Sequence, residues 1–456
     1  MNIGRKAVAA NEKQLEVTAH NIANANTPGF SRQRVVQEAA FPIQSMNVHI
    51  GTGVDVIRIE RMRDIFLDTE FRKLNGNTGF WNTMSRHLNE LEKNVIETSE
   101  HGISARINNF FNSWEDLANN PFSTIHRMAV VESAQQMTDG FQDLHRAIDR
   151  KISDVRREME HSADRINQIA DDLAKLVDVI AQNKVTNKPI NDLMDRYDLL
   201  IDELSSFGDV QVHHRDNGTM SIYLGSDELV RNGQVNRLRL METRNLETGE
   251  MSYFLGWGNT TRPISGLTTG SIKALDDLHN VLLPEYQKKL DELVVQIAEQ
   301  VNAIHTQGFS NTIPPQTGTF FFDPNITGVM SFSLSNAVLS DPEFIVASMT
   351  GATGDNQIAL MMTDLRLAKV FNDQTLTESF ADLVFTIGND VRFSRSSADR
   401  SQMISQQADN FRDSVKGVSV NEETANLIRF QQAYQAAAKI ISVADDMMRT
   451  IIGLVR

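Results

Sequence analysis

Apolar and polar residues alternate along this chain with helical and strand periods, and the changes of period divide it. Over residues 3–25, Val8, Leu15 and Ile22 recur every seven positions with Ala19 and Ala25 beside them. That spacing predicts a helix with a narrow apolar stripe rather than a broad core face. The stretch "NIANANTPGFSRQ", from Asn21 to Gln33, ends it abruptly. Pro28 disfavours a helical Thr27, Gly29 permits a positive φ, and Phe30 follows as a lone aromatic, so the chain turns sharply here. "RQRVVQEAAF" and "HIGTGVDVIRIERM" then alternate as short strands. Helical spacing runs from Arg61 to about Asn120, with a stop at Asn119-Asn120-Pro121. A longer helix is predicted from Ser123 to Gln182. Ile152, Val155, Met159, Ser162, Ile166, Ile169, Leu173, Leu176 and Ile180 follow one another in steps of three and four, the mark of a coiled coil or long bundle.

A loop with Pro189 and a short helix ending at Gly208 lead into a different texture over residues 209–265. "DVQVHHRDNGTMSIYLGSDELV" reads as two strands around Asp216-Asn217-Gly218, and "QVNRLRLMETRNLETGEMSYFLGWG" as a second hairpin. Helix resumes from Ser271 to Thr306, with a kink at Pro284 and Leu290, Leu293, Ile297, Val301 and Ile304 on one face. A loop follows, whose Phe320, Phe321 and Phe322 are expected to plug a core, and then a strand in "VMSFSLSNAVLSDPEFIVAS". Two more helices are predicted over 356–371 and 377–416. The C-terminus carries the strongest periodicity. Leu427, Tyr434, Ile441, Met448 and Val455 form one row and Phe430, Ala437, Ala444 and Ile451 a second, in unbroken steps of three and four. A helix with that seam gains little alone in water and needs a partner: the N-terminal helix, a neighbouring subunit, or both.

The pattern therefore implies a mainly α, multidomain protein with a small β insertion. Terminal segments 1–35 and 417–456 would pair as a coiled coil, residues 36–208 and 266–416 would build a rod-like bundle of long helices, and 209–265 an outer β module. Composition narrows the classes of function. A net charge of -15 argues against a general nucleic-acid binder and against anchoring to an anionic membrane surface. There is no cysteine, which excludes disulfides, thiolate metal sites and cysteine nucleophiles. "MNIGRKAVAANEKQLEV" has no apolar core of a cleavable signal, and no run approaches the roughly 20 apolar residues that span a bilayer.

Several motifs resemble those of the flagellar axial proteins. "NIANANTPGF" resembles the end of the first helix throughout rod, hook and hook-associated proteins, and "IGTGVDVIRIERMRDIFLDTEFR" the segment after it. "NDLMDRYDLLIDELS", "LTTGSIKALDD", "NAIHTQGF", "GDNQIAL" and "VSVNEETANLIRFQQAYQAAAKIISVADDMMRTII" resemble the hook-associated protein 1 family in particular, in order along nearly the whole chain. The resemblance implies an inner coiled-coil domain made by both termini and long helices outside it. It also implies a structural role at the hook–filament junction of an extracellular flagellum. Implied partners are the hook protein, the second junction protein, neighbouring copies in a ring, and an export chaperone on the C-terminal helix. Export without a cleaved signal and a monomer before assembly are implied too. Many relatives carry a larger outer domain, so the outer surface is expected to be slim. Two other readings stay open: another axial subunit of hook or rod type, and a surface-displayed coiled-coil binding protein.

No catalytic, cofactor or metal site is expected. Asp192, Asp195, Asp198 and Asp202 share a helical face but lack the spacing and glycine of a calcium loop, so they read as a capping and solvated face. His213 and His214 are strand neighbours pointing to opposite faces and cannot easily share a metal. The residues expected to carry assembly are the two seams and the corner Thr27-Pro28-Gly29-Phe30, which would turn the chain from an inner helix back along the outer wall.

Overall fold

A computed structural model describes residues 2–45, 48–95, 102–214, 220–231, 233–244, 251–258, 260, 262–352, 354–371 and 373–454. Helix α1 (Asn2–Ala23) leads through the turn at Gly29 into β1 (Gln33–Ala39), β2 (Ile43–Ser45), β3 (Val48–Ile50) and β4 (Val54–Arg61). β1 pairs antiparallel with β4, and β2 with β3 at the tip of the same ribbon. The ribbon runs back along α1: Asn21 bonds Gln33 at one end, and Lys6 pairs with Asp55 near the other.

Helices α2 (Ile65–Val95), α3 (Ile103–Asn119), α4 (Thr124–Val185) and α5 (Asn191–Ser205) form the first part of the rod. The side chain of Ser123 caps α4. Along α4, Val155, Met159, Ser162, Ile166, Ile169, Leu173 and Ile180 are all buried, against several elements in succession rather than one partner helix. Helix α2 carries Gly76 and Gly79 where the end of α5 crosses it. The Gly76 carbonyl accepts from the Gly270 N–H at 3.0 Å, and a Cβ on Gly79 would lie 2.1 Å from the Ser206 carbonyl oxygen. Alanine gains roughly 1 kcal/mol over glycine inside a helix. Gly79→Ala should nevertheless destabilise by about 1–3 kcal/mol, because backbone rather than a flexible side chain must give way. An unchanged urea midpoint would remove the close approach as the reason for glycine here.

Strands β5 (Val210–His214), β6 (Met220–Leu224), β7 (Asp227–Arg231) and β8 (Gln234–Val235) form one antiparallel sheet in that order, and β9 (Leu238–Arg244) and β10 (Met251–Trp257) a separate hairpin. The sequence reading of two hairpins missed the tight β6–β7 turn, where Gly225 takes φ +63°. The turn read at Asp216-Asn217-Gly218 lies outside the described residues. These strands are laid on α4: Leu238, Leu255 and Trp257 join its core, and Asn167 exchanges two hydrogen bonds with the Leu238 backbone.

Helix α6 (Ser271–Asp277) runs through one π turn, Leu278–Leu282, into α7 (Leu283–His305). The expected kink takes this form because Pro284 offers no N–H to the turn before it and its ring crowds a carbonyl there. Next come β11 (Phe309–Ser310), α8 (Asn336–Ser340), β12 (Val346–Ser348), α9 (Gln357–Leu365), α10 (Leu376–Lys416) and α11 (Val420–Leu454). The strand expected from Val329 is a 3-10 turn, Val329–Ser331, followed by a single bridge from Leu334 to Phe322. Phe321 and Phe322 are buried with Phe110, Trp114 and Phe332, but Phe320, expected in the same plug, is 43% exposed.

His305 closes this end of the rod. Its Nδ1 donates to the Thr319 carbonyl at 2.7 Å and its Nε2 accepts from the Val346 N–H at 2.9 Å, so the ring is neutral. Burial pushes its pKa down to about 4. Between that value and the ordinary 6.5 the unfolded chain binds the proton and the folded chain does not. Stability therefore falls as pH drops through this window, by at most roughly 1.4 kcal/mol per unit from this group. His305→Asn should flatten urea-unfolding stability between pH 6.5 and 4; an unchanged slope would mean the ring does not titrate on unfolding.

Candidate functional site

The first and last helices meet. A Cβ on Gly4 would touch the Ile441 side chain, with Ile440 and the Ala437 carbonyl next nearest, while Asn21 at the other end of α1 donates to Glu423 at 3.0 Å. α1 and α11 are thus antiparallel. Val8, Leu15 and Ile22 lie four, eleven and eighteen residues after Gly4, which puts them on the same side of α1; all three are half-buried. Ala10, Val17 and Asn21 are buried on its other side, toward the ribbon. Along α11, Ala437 is buried and Leu427, Phe430, Tyr434, Ile441 and Ala444 are half-buried. Met448 and Ile451 are 51% and 58% exposed, because α1 begins opposite Ile441 and the last turns of α11 run past it. Val455 lies outside the described residues.

The corner between this arm and the rod is built from Thr27, Pro28, Gly29 and Phe30. Thr27 N–H bonds the Asn24 carbonyl and Phe30 N–H the Thr27 carbonyl, at 2.9 and 3.2 Å. Gly29 has φ +79°, and a Cβ there would sit 3.3 Å from Leu199 of α5, so the position favours glycine on two counts. Thr27 and Pro28 are exposed; Gly29 and Phe30 are half-buried, with the Phe30 ring edge-on to His20 at 5.4 Å. Asn21 locks the exit: its amide donates to the Gln33 carbonyl and accepts the Gln33 N–H, both at 2.9 Å. The Arg32 N–H bonds the carbonyl of Lys416 at the end of α10, and its guanidinium reaches Glu423 and Glu422 at the start of α11. One residue thereby fixes both passages between rod and arm.

The acidic face of α5 is not solvated, which corrects the sequence reading. Asp195, Asp198 and Asp202 are largely buried against arginines from three other elements. Arg61 reaches Asp195 at 2.9 Å and Asp198 at 2.7 Å; Arg63 reaches Asp68 at 2.6 Å and Asp198 at 3.0 Å. Arg72 bridges Asp198 and Asp202 at 3.0 and 2.8 Å, and Arg412 of α10 pairs with Asp202 and Asp409 and stacks over Phe71. The Ser31 N–H, just after the corner, also donates to Asp195 at 3.0 Å. Burial alone would raise the Asp198 carboxyl, but Arg63, Arg61 and Arg72 hold it below the usual carboxylate range. With guanidinium groups on their oxygens, these carboxylates are committed to joining elements. Asp192 stays in solvent but still touches Gln33 and His20. Part of the signal was present in the sequence: the aspartates share one helix face, and Arg61 and Arg63, at the end of β4 and just beyond it, make a basic one. Nothing local says that the two faces meet. Of the adjacent histidines, His213 stacks edge-on with Tyr223 at 5.1 Å.

Family matches at both ends of the chain, which form the paired arm and the Pro-Gly corner, make this an axial protein of the bacterial flagellum. Residues 1–30 match the family described as flagella basal body rod protein, and residues 412–454 the C-terminal family of flagellar basal body rod FlgEFG proteins. Residues 88–322, just over half of the chain, match the flagellar hook-associated protein FlgK helical domain, and the chain belongs to the FlgK family of hook-associated proteins. It is 27% identical to flagellar hook-associated protein 1 of Bacillus subtilis (strain 168), over 99% of this chain and 97% of that one. It is 23% identical to flagellar hook-associated protein 1 of Escherichia coli (strain K12), over 100% and 99%. A solved structure, the flagellar hook junction protein FlgK from Burkholderia pseudomallei, has the same fold, with a TM-score of 0.66 at 15% identity over 76% of this chain and 100% of that one. The family is structural, and the chain is a component of the flagellar hook–filament junction.

Proposed function

We infer that this junction component works as a passive adaptor, not an enzyme, by presenting a rigidly aimed terminal arm to the subunits around it. The observation that carries the reading is the corner. Arg32, Asn21 and the aspartates of α5 fix the arm to the rod, while the far end of α11 keeps an open apolar row at Met448 and Ile451. An aimed arm with an open seam suits lateral assembly, in which neighbouring copies in a ring complete a coiled coil that one chain only begins. The hook protein on one side and the second junction protein on the other are the axial partners. An export chaperone on the C-terminal helix would cover the same apolar row beforehand, keeping the exported chain monomeric. Export proceeds without a cleaved signal peptide, and among the described residues no helix is long and apolar enough to cross a membrane. The terminal segments 1–35 and 417–456 are the inner domain in this reading, residues 36–208 and 266–416 the rod, and 209–265 the outermost part.

Deletion in the source bacterium tests this. Bare hooks under the electron microscope, with flagellin lost to the medium, are expected. Intact filaments would sink the junction role and return attention to surface display by the strands.

A further inference from the structure

The tip of the ribbon is an unprotected apolar segment. Phe41 is 94% exposed and Ile43 62%, although both are large hydrophobic residues. From Ala39 to Val54 the sequence contains no Lys, Arg, Asp or Glu, in a chain that is 23% charged. Among the described residues β2 and β3 pair only with each other, so each leaves one edge without a neighbouring strand. Natural proteins blunt such edges with charge, which this segment lacks.

The same chain carries a matching recess. A cleft of about 590 Å³ lies between the start of α2, α5 and β5, with Ile65, Met194, Tyr197, Val210 and Val212 among its walls. Four successive residues, Val210 to His213, line it. Alternate residues of a strand face opposite ways, so the cleft reaches the strand's backbone edge, not one face alone. β5 is the outer strand of its sheet and that edge has no strand beside it among the described residues. Tyr197 is buried, yet its hydroxyl has no hydrogen-bond partner there. The arginines at the cleft are already paired, Arg61, Arg63 and Arg72 with Asp68, Asp198 and Asp202; Asp209 accepts from the Thr268 and Thr269 N–H groups, and Lys73 at the rim is exposed to water. An uncharged segment can therefore enter without stranding an ion.

We propose that this cleft receives the Phe41–Ile43 segment of a second copy of the chain, which adds as a strand along the free edge of β5. A chain cannot fill its own cleft: the ribbon leaves the corner at Gln33 and runs away along α1, which carries Phe41 about 25 Å off. The contact is heterologous, knob on one copy and hole on the next, so it propagates around or along an assembly. Phe41 fills the apolar floor of the cleft. The proposal rests on the chain being a subunit of a multi-copy axial assembly.

Because the chain has no cysteine, an introduced pair supplies its only thiols. Phe41→Cys with Gln211→Cys is expressed in the source bacterium, and purified hook–filament complexes are run under non-reducing conditions. A ladder of disulfide-linked multimers is expected from the double variant and none from either single variant. Incorporated protein that yields no ladder, or only an intramolecular link, overturns the proposal. Should the double variant not be incorporated, Phe41→Asp and Gln211→Arg are compared singly and together. Filaments lost with Phe41→Asp and restored by the pair support the contact; no restoration overturns it. Filament formation is scored separately, so a missing cross-link with filaments present counts against this docking alone. Filaments in a strain lacking the chain count against the junction role itself.

Discussion

Replacing Asp198 by alanine is expected to destabilise the protein by about 3–5 kcal/mol, the largest effect of any single surface-remote substitution at the corner. Asp198 accepts from Arg61 at 2.7 Å and from Arg63 and Arg72 at 3.0 Å. Removing it takes the shared carboxylate out of a desolvated cluster and leaves Arg61, Arg63 and Arg72 with only Asp195, Asp68 and Asp202 to offset their mutual repulsion. The urea midpoint should fall, and trypsin should cut between residues 31 and 63 before it cuts the rod, because Ser31 and Arg61 are held through the same helix. Asp413→Ala provides the contrast: its pair with Lys416 is half in water and should be worth less than about 1 kcal/mol. Since the Asp198 carboxyl is depressed in the folded state, its stabilisation is present above the ordinary carboxylate pKa and is lost as pH falls below it. Equal destabilisation by the two substitutions would mean that the network contributes no more than a surface pair.

Placing a charge in the terminal seam should separate folding from assembly. In Ile441→Asp a carboxylate faces Gly4, where a Cβ would already lie 2.8 Å from the Ile441 side chain. An unpaired charge in this half-buried contact is costly against the little that an isolated pair of helices gains by packing. The arm should open while the rod, whose core lies elsewhere, keeps its helical circular dichroism and its urea midpoint. Incorporation and filaments should be lost. Lys439→Glu, on the exposed side of α11, should leave both intact. Normal motility with Ile441→Asp would show that the α1–α11 contact is dispensable in the flagellum.

What could be read in the sequence is what periodicity encodes. Ile152 to Ile180 sit in the core of α4 because one helix face repeats every 3.6 residues whatever it packs against. The stop at Pro28-Gly29 was legible because both residues act on their own backbone. Long-range pairing was not. Asp195 and Asp198 read as solvated because their arginine partner is more than a hundred residues away, and no local pattern specifies that meeting. For the same reason the recess beside β5 had no sequence signature. Phe41 was visible only as a hydrophobic residue in a strand-like stretch; its exposure depends on where the ribbon ends relative to α1.

The bond between Asn21 and Glu423 joins residues 402 apart. Closing so long a loop is entropically slow, and the face of α1 turned toward α11 gains nothing until it closes. As the chain emerges N-terminus first, its opening helix must wait for the whole rod and then for α11. The arm is therefore the last part to fold, and any chain that stops short of residue 420 leaves the α1 stripe without its partner. Pulling the two ends apart would open the arm one turn at a time from the Gly4 end, before tension reaches Arg32 and the rod behind it.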